Sequence, residues 1–177
     1  MKFNNQKYFN QKTERLTFRK LSINDIESWK EFFEENNSLS FLGIDVTKTA
    51  SELSEGWINK QLERYENEGL GHLAVIENVS GKFIGMGGIL VRNIENNQEY
   101  EIAYSLKPKY WKKGFGTEIA NQMRLFGLEN SISKKFISII DKRNLDSINV
   151  AKKNHMTILS ETEYLGMNVY IYGIQIQ

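Results

Sequence analysis

The spacing of apolar residues predicts two helices followed by a sheet. Between residues 22 and 65, apolar side chains recur every three or four positions in two stretches, which is typical of amphipathic helices. From residue 72 to residue 106, apolar and polar side chains alternate in three runs separated by turn-forming residues. Three consecutive strands joined by short turns predict an antiparallel meander.

The second half of the chain predicts a strand, helix, strand crossover and then a closing hairpin. After the strand at 100–106, the pattern predicts helices at 116–128 and 144–153 and strands at 136–140, 158–164 and 168–174. A helix that connects two neighbouring strands of one sheet makes those strands parallel. The sequence therefore predicts a mixed sheet of the α/β (α+β) class with helices packed against it.

Length and composition predict one domain. The chain has 177 residues, of which 40% are hydrophobic and 12% aromatic, so it can form one sizeable core but not two. Residues 1–12 are polar and rich in Asn, and the first strand pattern runs over residues 15–19. We therefore expect a flexible N-terminal segment, residues 1–12, and a single domain over residues 13–177.

Charge and cysteine content exclude several classes of function. The 23 Lys and Arg residues balance 22 Asp and Glu residues, and a net charge of +1 gives no global attraction to nucleic acid or an anionic membrane. The absence of cysteine excludes disulfides, thiolate metal sites and a cysteine nucleophile. No apolar run reaches the roughly twenty residues that span a bilayer. We expect a cytoplasmic protein with no metal, nucleic-acid or membrane partner.

A loop with two glycines lies between the predicted strand at 100–106 and the next helix. Residues 112–117 read KKGFGT. Backbone N–H groups at a helix start lack partners and bind anions, and Gly114 and Gly116 would let a phosphate approach closely. Taken alone, the loop is equally compatible with a solvated lysine-rich turn. It has neither the Walker ending nor the three-glycine dinucleotide pattern.

A longer stretch around this loop resembles a known family. Residues 101–118 read EIAYSLKPKYWKKGFGTE, and this closely resembles the acetyl-CoA-binding segment of GNAT acetyltransferases, in particular the Rim-type ribosomal-protein N-terminal acetyltransferases. The resemblance extends to Thr13, Glu14, Arg15, Leu16, Arg19, Ile84, Gly85, Asn144 and Ser147. It implies the GNAT acyl-CoA N-acyltransferase fold, with about seven strands, about four helices, and parallel fourth and fifth strands splayed around the cofactor.

The resemblance also implies the cofactor and the residues that hold it. Acetyl-CoA is the implied co-substrate, with its pantetheine arm beside residues 104–106 and its pyrophosphate on the loop amides. The implied cofactor-binding residues are Tyr104, Ser105, Leu106, Lys112, Lys113, Gly114, Phe115, Gly116, Thr117, Asn144 and Ser147. An Asn with a Ser three residues later is also ordinary helix-start chemistry, and the two roles are compatible.

The implied reaction is direct attack of a primary amine on the thioester, with the CoA thiolate as leaving group and no covalent enzyme intermediate. The implied catalytic residues are Glu101 as general base and Ser147 as general acid. Glu101 is also interpretable as an ordinary exposed strand residue. In many relatives, a Tyr just after the last helix is the general acid that protonates the departing thiolate. This chain has Met156 and Thr157 at that place.

Other polar residues near the end of the chain are weaker candidates. Glu161 and Glu163, in a predicted closing strand, are alternative bases because closing strands of this fold commonly contribute to the acceptor pocket. Asn154 stands where relatives often have a glycine turn, and Asn can adopt the left-handed conformation. His155 has no assigned role beyond a partner for the helix dipole.

The resemblance leaves the acceptor open. A protein N-terminal α-amino group is one candidate, and a small amine such as an amino acid, a polyamine or an antibiotic is another. A non-catalytic acyl-CoA-binding module is a third hypothesis. The four aromatic residues of the first two helices, Trp29, Phe32, Phe33 and Trp57, are predicted to be core rather than pocket residues. Relatives are monomers or homodimers, and the sequence does not distinguish these states.

Overall fold

The described part of the chain forms one eight-stranded sheet with helices on both faces. The computed structural model describes residues 5–34, 36–94 and 96–176. Its strands are β1 (Asn10–Lys12), β2 (Leu16–Arg19), β3 (Gly71–Glu77), β4 (Phe83–Ile94), β5 (Asn97–Leu106), β6 (Lys135–Asp141), β7 (Thr157–Tyr164) and β8 (Met167–Gln175). Its α-helices are α1 (Asn5–Tyr8), α2 (Ile26–Glu34), α3 (Ala50–Asn67), α4 (Phe115–Glu129) and α5 (Leu145–Lys153).

The strand order is β1-β2-β3-β4-β5-β6-β8-β7, and β5 and β6 are the parallel pair among antiparallel neighbours. This order confirms the predicted meander (β3 to β5), the crossover through α4 and the closing hairpin (β7 and β8). The predicted fourth and fifth strands are β5 and β6, because β1 adds one strand at the front. The described residues therefore hold eight strands and five α-helices, slightly more than expected.

The N-terminal segment differs from its prediction. Residues 1–4 of the segment expected to be flexible lie outside the described residues, but α1 and β1 form within residues 5–12. Tyr8 is fully buried, and its hydroxyl donates to the Gly71 carbonyl at 2.5 Å and accepts from the Ile89 N–H at 2.8 Å. The prediction that structure begins near Thr13 is therefore wrong, because a single long-range tyrosine anchors a segment whose polar composition gives no periodic signal.

The helices cover the two faces of the sheet in pairs. α2 and α3 pack together on one face, and α4 packs with α5 on the other. Trp29, Phe32 and Phe33 of α2 are buried in the core, as predicted, and the Trp29 and Phe32 rings stack with centroids 4.4 Å apart. Trp57 of α3 is half-buried and packs against the same core. None of the helices in the described residues is long and apolar enough to cross a membrane.

Two glycines test this packing in opposite directions. A Cβ on Gly87 of β4 would lie 2.2 Å from Cγ2 of the buried Ile119 in α4, whereas a Cβ on Gly56 of α3 would have no neighbour within 4 Å. We expect Gly87→Ala to lower the free energy of unfolding by about 1–3 kcal/mol, because the core cannot yield without strain. Gly56→Ala should raise it by about 0.5–1 kcal/mol, since alanine favours a helix interior.

Urea denaturation followed by circular dichroism measures both changes. Equal stability of the Gly87→Ala variant and the parent protein would contradict the close approach of α4 to β4.

Candidate active site

The parallel strands β5 and β6 separate after a single pair of residues. Their ladder holds Glu101 opposite Ile137. One step further, the Ser138 hydroxyl donates to the Ile102 carbonyl at 2.8 Å. Beyond this point β5 stays paired with β4 as far as Leu106, whereas β6 stays paired with β8. The two strands therefore diverge, and a gap opens within the sheet.

The gap faces backbone groups of β5. The Lys107 N–H donates to the Ile84 carbonyl at 2.9 Å, so the ladder with β4 uses alternate residues, including Ser105. The intervening residues Tyr104 and Leu106 must turn their N–H and C=O groups toward the gap. The Leu106 carbonyl accepts from the Trp111 indole at 2.6 Å. This edge of β5 can pair with an extended ligand that carries amide groups, as a strand pairs with its neighbour.

The loop after β5 delivers a helix N-terminus to the end of the gap. Lys112 and Gly114 have positive φ angles of 59° and 81°, and Gly114 is the N-cap of α4. The cap residue has no side chain, and no side chain among the described residues makes a capping hydrogen bond there. The N–H groups of the first helical turn, beginning at Phe115, are therefore available to a ligand. Together with the helix dipole they form an anion site.

Arg15 holds this loop from behind. Its guanidinium donates to the Lys113 carbonyl at 3.0 Å, pairs with the Glu118 carboxylate at 2.6 Å, and lies 4.5 Å from the centre of the Phe115 ring. Burial would raise the pKa of Glu118, but hydrogen bonds from Thr13 and Arg15 hold it below its usual value. Arg15 belongs to the N-terminal part of the resemblance, which gave it no role; its contacts join residues about a hundred positions apart.

Glu31 of α2 holds the other side of the loop. Its carboxylate pairs with Lys109 and, at 3.0 Å, with the ammonium of Lys107, which is only 3% exposed. Lys107 also contacts the Ser28 hydroxyl at 3.1 Å. Lys109 and Lys107 hold the pKa of Glu31 below its usual value despite partial burial. The glycine loop and the residues before it are thus held by Arg15 next to β2 and by Glu31 of α2.

A cleft of about 350 Å³ passes through the gap and brings most of the predicted cofactor residues together. Those in its wall are Tyr104, Ser105, Leu106, Lys112, Gly114, Phe115, Gly116, Thr117, Asn144 and Ser147. Phe32 and Leu42 also line it, from the α2 side, which the sequence did not predict. Lys113 lies outside this wall, with its ammonium 5.3 Å from the centre of the Tyr110 ring. Glu101 also lies outside it.

Asn144 caps a helix and also lies in the cleft wall. Its side-chain oxygen accepts from the Ser147 N–H at 3.1 Å, which makes it the N-cap of α5, and it lines the cleft. The Tyr104 hydroxyl lies 3.5 Å from the Ser147 carbonyl across the cleft. Burial raises the pKa of Tyr104, so its phenol stays protonated at neutral pH. The hydroxyl groups of Tyr104 and Ser147 are therefore two of the groups in the cleft that can donate a proton.

Glu101 lies on the opposite face of β5 from Tyr104, as the alternation predicts. It is 6% exposed, and its carboxylate accepts from the Arg92 guanidinium at 2.6 Å. Ala103, two residues or about 7 Å further along the strand, is partly exposed although β5 is central in the sheet. This face therefore keeps some exposure at Ala103.

The other candidates near the end of the chain are not in the cleft wall. Glu161 and Glu163 are exposed on the edge strand β7, and Glu161 pairs with Lys142. The expectation for Asn154 is wrong, because the left-handed residue is His155, with φ 62°. Asn154 has a negative φ of −91°. Its side chain is buried, and its amide donates to the Thr117 and Val150 carbonyls.

Sequence comparison gives the family. The acetyltransferase (GNAT) domain family matches residues 15–157. The chain belongs to the GNAT acetyltransferase family. Among curated proteins, the uncharacterized protein YkkB of Bacillus subtilis (strain 168) is 29% identical over 97 residues. That match covers 55% of this chain and 56% of YkkB, so it spans about half the length of the relative.

Solved structures of GNAT acetyltransferases share the fold. An acetyltransferase from Agrobacterium tumefaciens str. C58 has a TM-score of 0.78 at 22% identity and covers 94% of each chain. RimL, a ribosomal-protein α-N-acetyltransferase in complex with coenzyme A, has a TM-score of 0.75 at 15% identity over 93% of this chain and 96% of its own. A ribosomal-protein-S5-alanine acetyltransferase from Vibrio fischeri has a TM-score of 0.73 at 16% identity, over 94% of this chain and 96% of its own. At these identities the likeness shows the fold.

Removal of the Arg15 contacts should weaken binding at the GNAT loop without unfolding the protein. We expect Arg15→Gln to raise the Kd for coenzyme A about tenfold, because the loss of charged hydrogen bonds lets the loop amides lose their alignment. Isothermal titration calorimetry measures the Kd, and circular dichroism checks the fold. The matched control is Lys12→Gln, which removes one exposed positive charge from β1. An equal loss of affinity in both variants would mean that Arg15 acts only through net charge.

Proposed function

We propose that the protein transfers the acetyl group of acetyl-CoA to a primary amine. The observation that carries this proposal is the gap between β5 and β6, with the N-terminus of α4 at its end and a cleft that reaches both faces of the sheet. An extended ligand with amides along its length and a diphosphate at one end fits this combination. Acetyl-CoA has that chemistry, and membership of the GNAT family supports the same ligand.

The residues of the cleft fit two parts of the cofactor, the pantetheine arm and the pyrophosphate. Backbone groups of Tyr104 would pair with the pantetheine amides, since they face the gap. The N–H groups from residues 112–116, with the Thr117 hydroxyl, would bind the pyrophosphate. Acetyl-CoA supplies an activated acyl group with a good leaving group, so the protein needs only to orient and to move protons.

The two faces of β5 divide the proton chemistry. Glu101 would accept the proton of the incoming amine on the face covered by α2 and α3. Ser147, or the Tyr104 phenol beside it, would donate a proton to the departing thiolate on the face covered by α4 and α5. The base lies about 13 Å from Ser105, four residues along the strand, so a water relay would connect it to the amine.

The acceptor class stays open between two candidates. Structural likeness to RimL and to the ribosomal-protein-S5-alanine acetyltransferase supports a protein N-terminal α-amino group. A small-molecule amine is the alternative, because the fold alone does not determine the acceptor. A non-catalytic acyl-CoA-binding module is a third candidate, since Met156 and Thr157 replace the Tyr of many relatives.

The test is CoA release from acetyl-CoA, followed with a thiol reagent. The protein has no cysteine, so the signal comes from CoA alone. The acceptor panel contains peptides with free amino termini, lysine peptides, polyamines, amino acids and aminoglycosides. Release with peptide amino termini alone supports N-terminal acetylation, and release with small amines supports the alternative. Tight acetyl-CoA binding with no release from any acceptor would favour the non-catalytic module.

Glu101→Gln tests the base. We expect kcat to fall by about 10²-fold or more, with the Kd for acetyl-CoA unchanged, because Gln cannot accept a proton. The loss should shrink as pH rises toward the pKa of the acceptor amine, since a neutral amine needs no base. Glu163→Gln, an exposed carboxylate on β7, is the matched control and should leave kcat unchanged. A fall in kcat for Glu163→Gln alone would move the role of base to the closing strand.

A further inference from the structure

The side of α3 that faces the sheet is polar where it crosses β3. Trp57, Gln61 and Arg64 recur at helical spacing and point toward the sheet. The Gln61 side-chain oxygen accepts from the His72 N–H at 3.0 Å and from the Arg64 guanidinium at 3.1 Å. One buried oxygen therefore holds a strand backbone and a guanidinium side by side.

His72, in β3 below this helix, carries hydrogen-bonding groups that the fold does not use. Its ring is 5% exposed and stacks on Trp57 with centroids 6.3 Å apart. Neither ring nitrogen, nor the Trp57 indole N–H, has a hydrogen-bond partner among the described residues. Burial, with Arg64 and Arg92 nearby, lowers the pKa of His72 to about 3, so the imidazole is neutral. Buried polar groups normally have partners, and these point to a polar ligand.

The same region has more positive than negative charge in contact. Arg92 pairs with Glu101 at 2.6 Å, but Arg64 forms no ion pair within 4 Å among the described residues. Burial and then Arg92 lower the pKa of Arg64, and the more distant carboxylates of Glu68 and Glu101 only partly offset them. Of these two half-buried guanidiniums, only Arg92 contacts a carboxylate within the described residues, so Arg64 is available to pair with one more anion.

This cluster lies on the face of the sheet that a nucleophile must use. Arg92, Glu101 and Ala103 share the face covered by α2 and α3, and Ala103 is partly exposed there. Resting on the acetyl transfer proposed above, we infer that the acceptor carries a carboxylate near its reacting amine and that Arg64 and Arg92 bind this carboxylate. Glu101, which pairs with Arg92, would then reach the amine through the water relay described above.

A carboxylate near an amine has two sources, a free amino acid or an acidic side chain in a peptide N-terminus. Matched probes separate them: L-leucine against L-leucinamide, and the amidated tripeptide Met-Glu-Ala against Met-Gln-Ala. Each pair differs by one negative charge. Binding of each probe to the full-length protein saturated with CoA is measured by calorimetry, so the readout does not depend on turnover.

The variant is Arg64→Gln, and the control is Lys60→Gln, which removes an exposed charge from the same helix. We expect Arg64→Gln to raise the Kd of the carboxylate probe by about 10- to 100-fold and that of its amide partner by less than about twofold. Lys60→Gln should change neither. If Arg64→Gln weakens L-leucine selectively, the acceptor is a free amino acid. If it weakens Met-Glu-Ala selectively, the carboxylate is an acidic side chain in a peptide N-terminus.

Absence of carboxylate binding in both pairs, or equal losses for carboxylate and amide probes, overturns the subsite. CoA release is measured in parallel with the same probes. Selective carboxylate binding without any release would leave the subsite standing and reject acetyl transfer. Release that Arg64→Gln affects equally for both members of a pair would keep acetyl transfer and reject the subsite.

Discussion

The divergence of β5 from β6 is the constraint on which the rest of the site depends. Each strand keeps its full antiparallel ladder on the outer side, β5 with β4 and β6 with β8, so the sheet can open between them at small cost in hydrogen bonds. The Ser138 hydroxyl bond to Ile102 closes the last backbone acceptor before the gap. The backbone N–H and C=O groups of Tyr104 and the N–H group of Leu106 are then the ones that must find another partner, since the Leu106 carbonyl already accepts from the Trp111 indole. A buried strand edge without a neighbouring strand has unpaired backbone groups, and an extended ligand can supply their hydrogen-bond partners.

The anion loop depends on contacts far from it in the chain. Backbone N–H groups bind phosphate strongly only when several of them point toward the same position. In this loop, left-handed backbone conformations at Lys112 and Gly114 orient them. A non-glycine residue in this conformation needs support from its surroundings. Arg15 supplies it from the β2 side and Glu31 from α2. Helix α2 therefore supports the proposed cofactor loop and also covers the sheet.

The sequence predicted local features well and long-range side-chain contacts poorly. The alternation at 100–106 and the glycine loop correctly gave the two faces of β5 and the start of α4, because both depend on neighbouring residues. The roles of Arg15, Glu31 and Gln61 were not predicted, since each joins segments that only the fold brings together. β1 was missed because three polar residues have no usable period. Glu161 and Glu163 were candidate bases because they lie in a closing strand. The sequence did not show that this strand, β7, is at the edge of the sheet, where both side chains are exposed.

Strand β5 separates the proposed cofactor side from the proposed acceptor side. Because side chains alternate along a strand, successive residues of β5 belong to opposite sides. In β5, even-numbered side chains such as Tyr104 face α4 and α5, and odd-numbered ones such as Glu101 face α2 and α3. Direct transfer requires an amine and a thioester to meet at one carbon, so both must reach the gap from different sides of this strand. The proposed acceptor face can then change in charge, through Arg64 and Arg92, without altering any atom proposed to hold the cofactor. This separation explains how one cofactor cleft can serve acceptors of different charge, and why the positive cluster under α3 is the place to look for the acceptor of this chain.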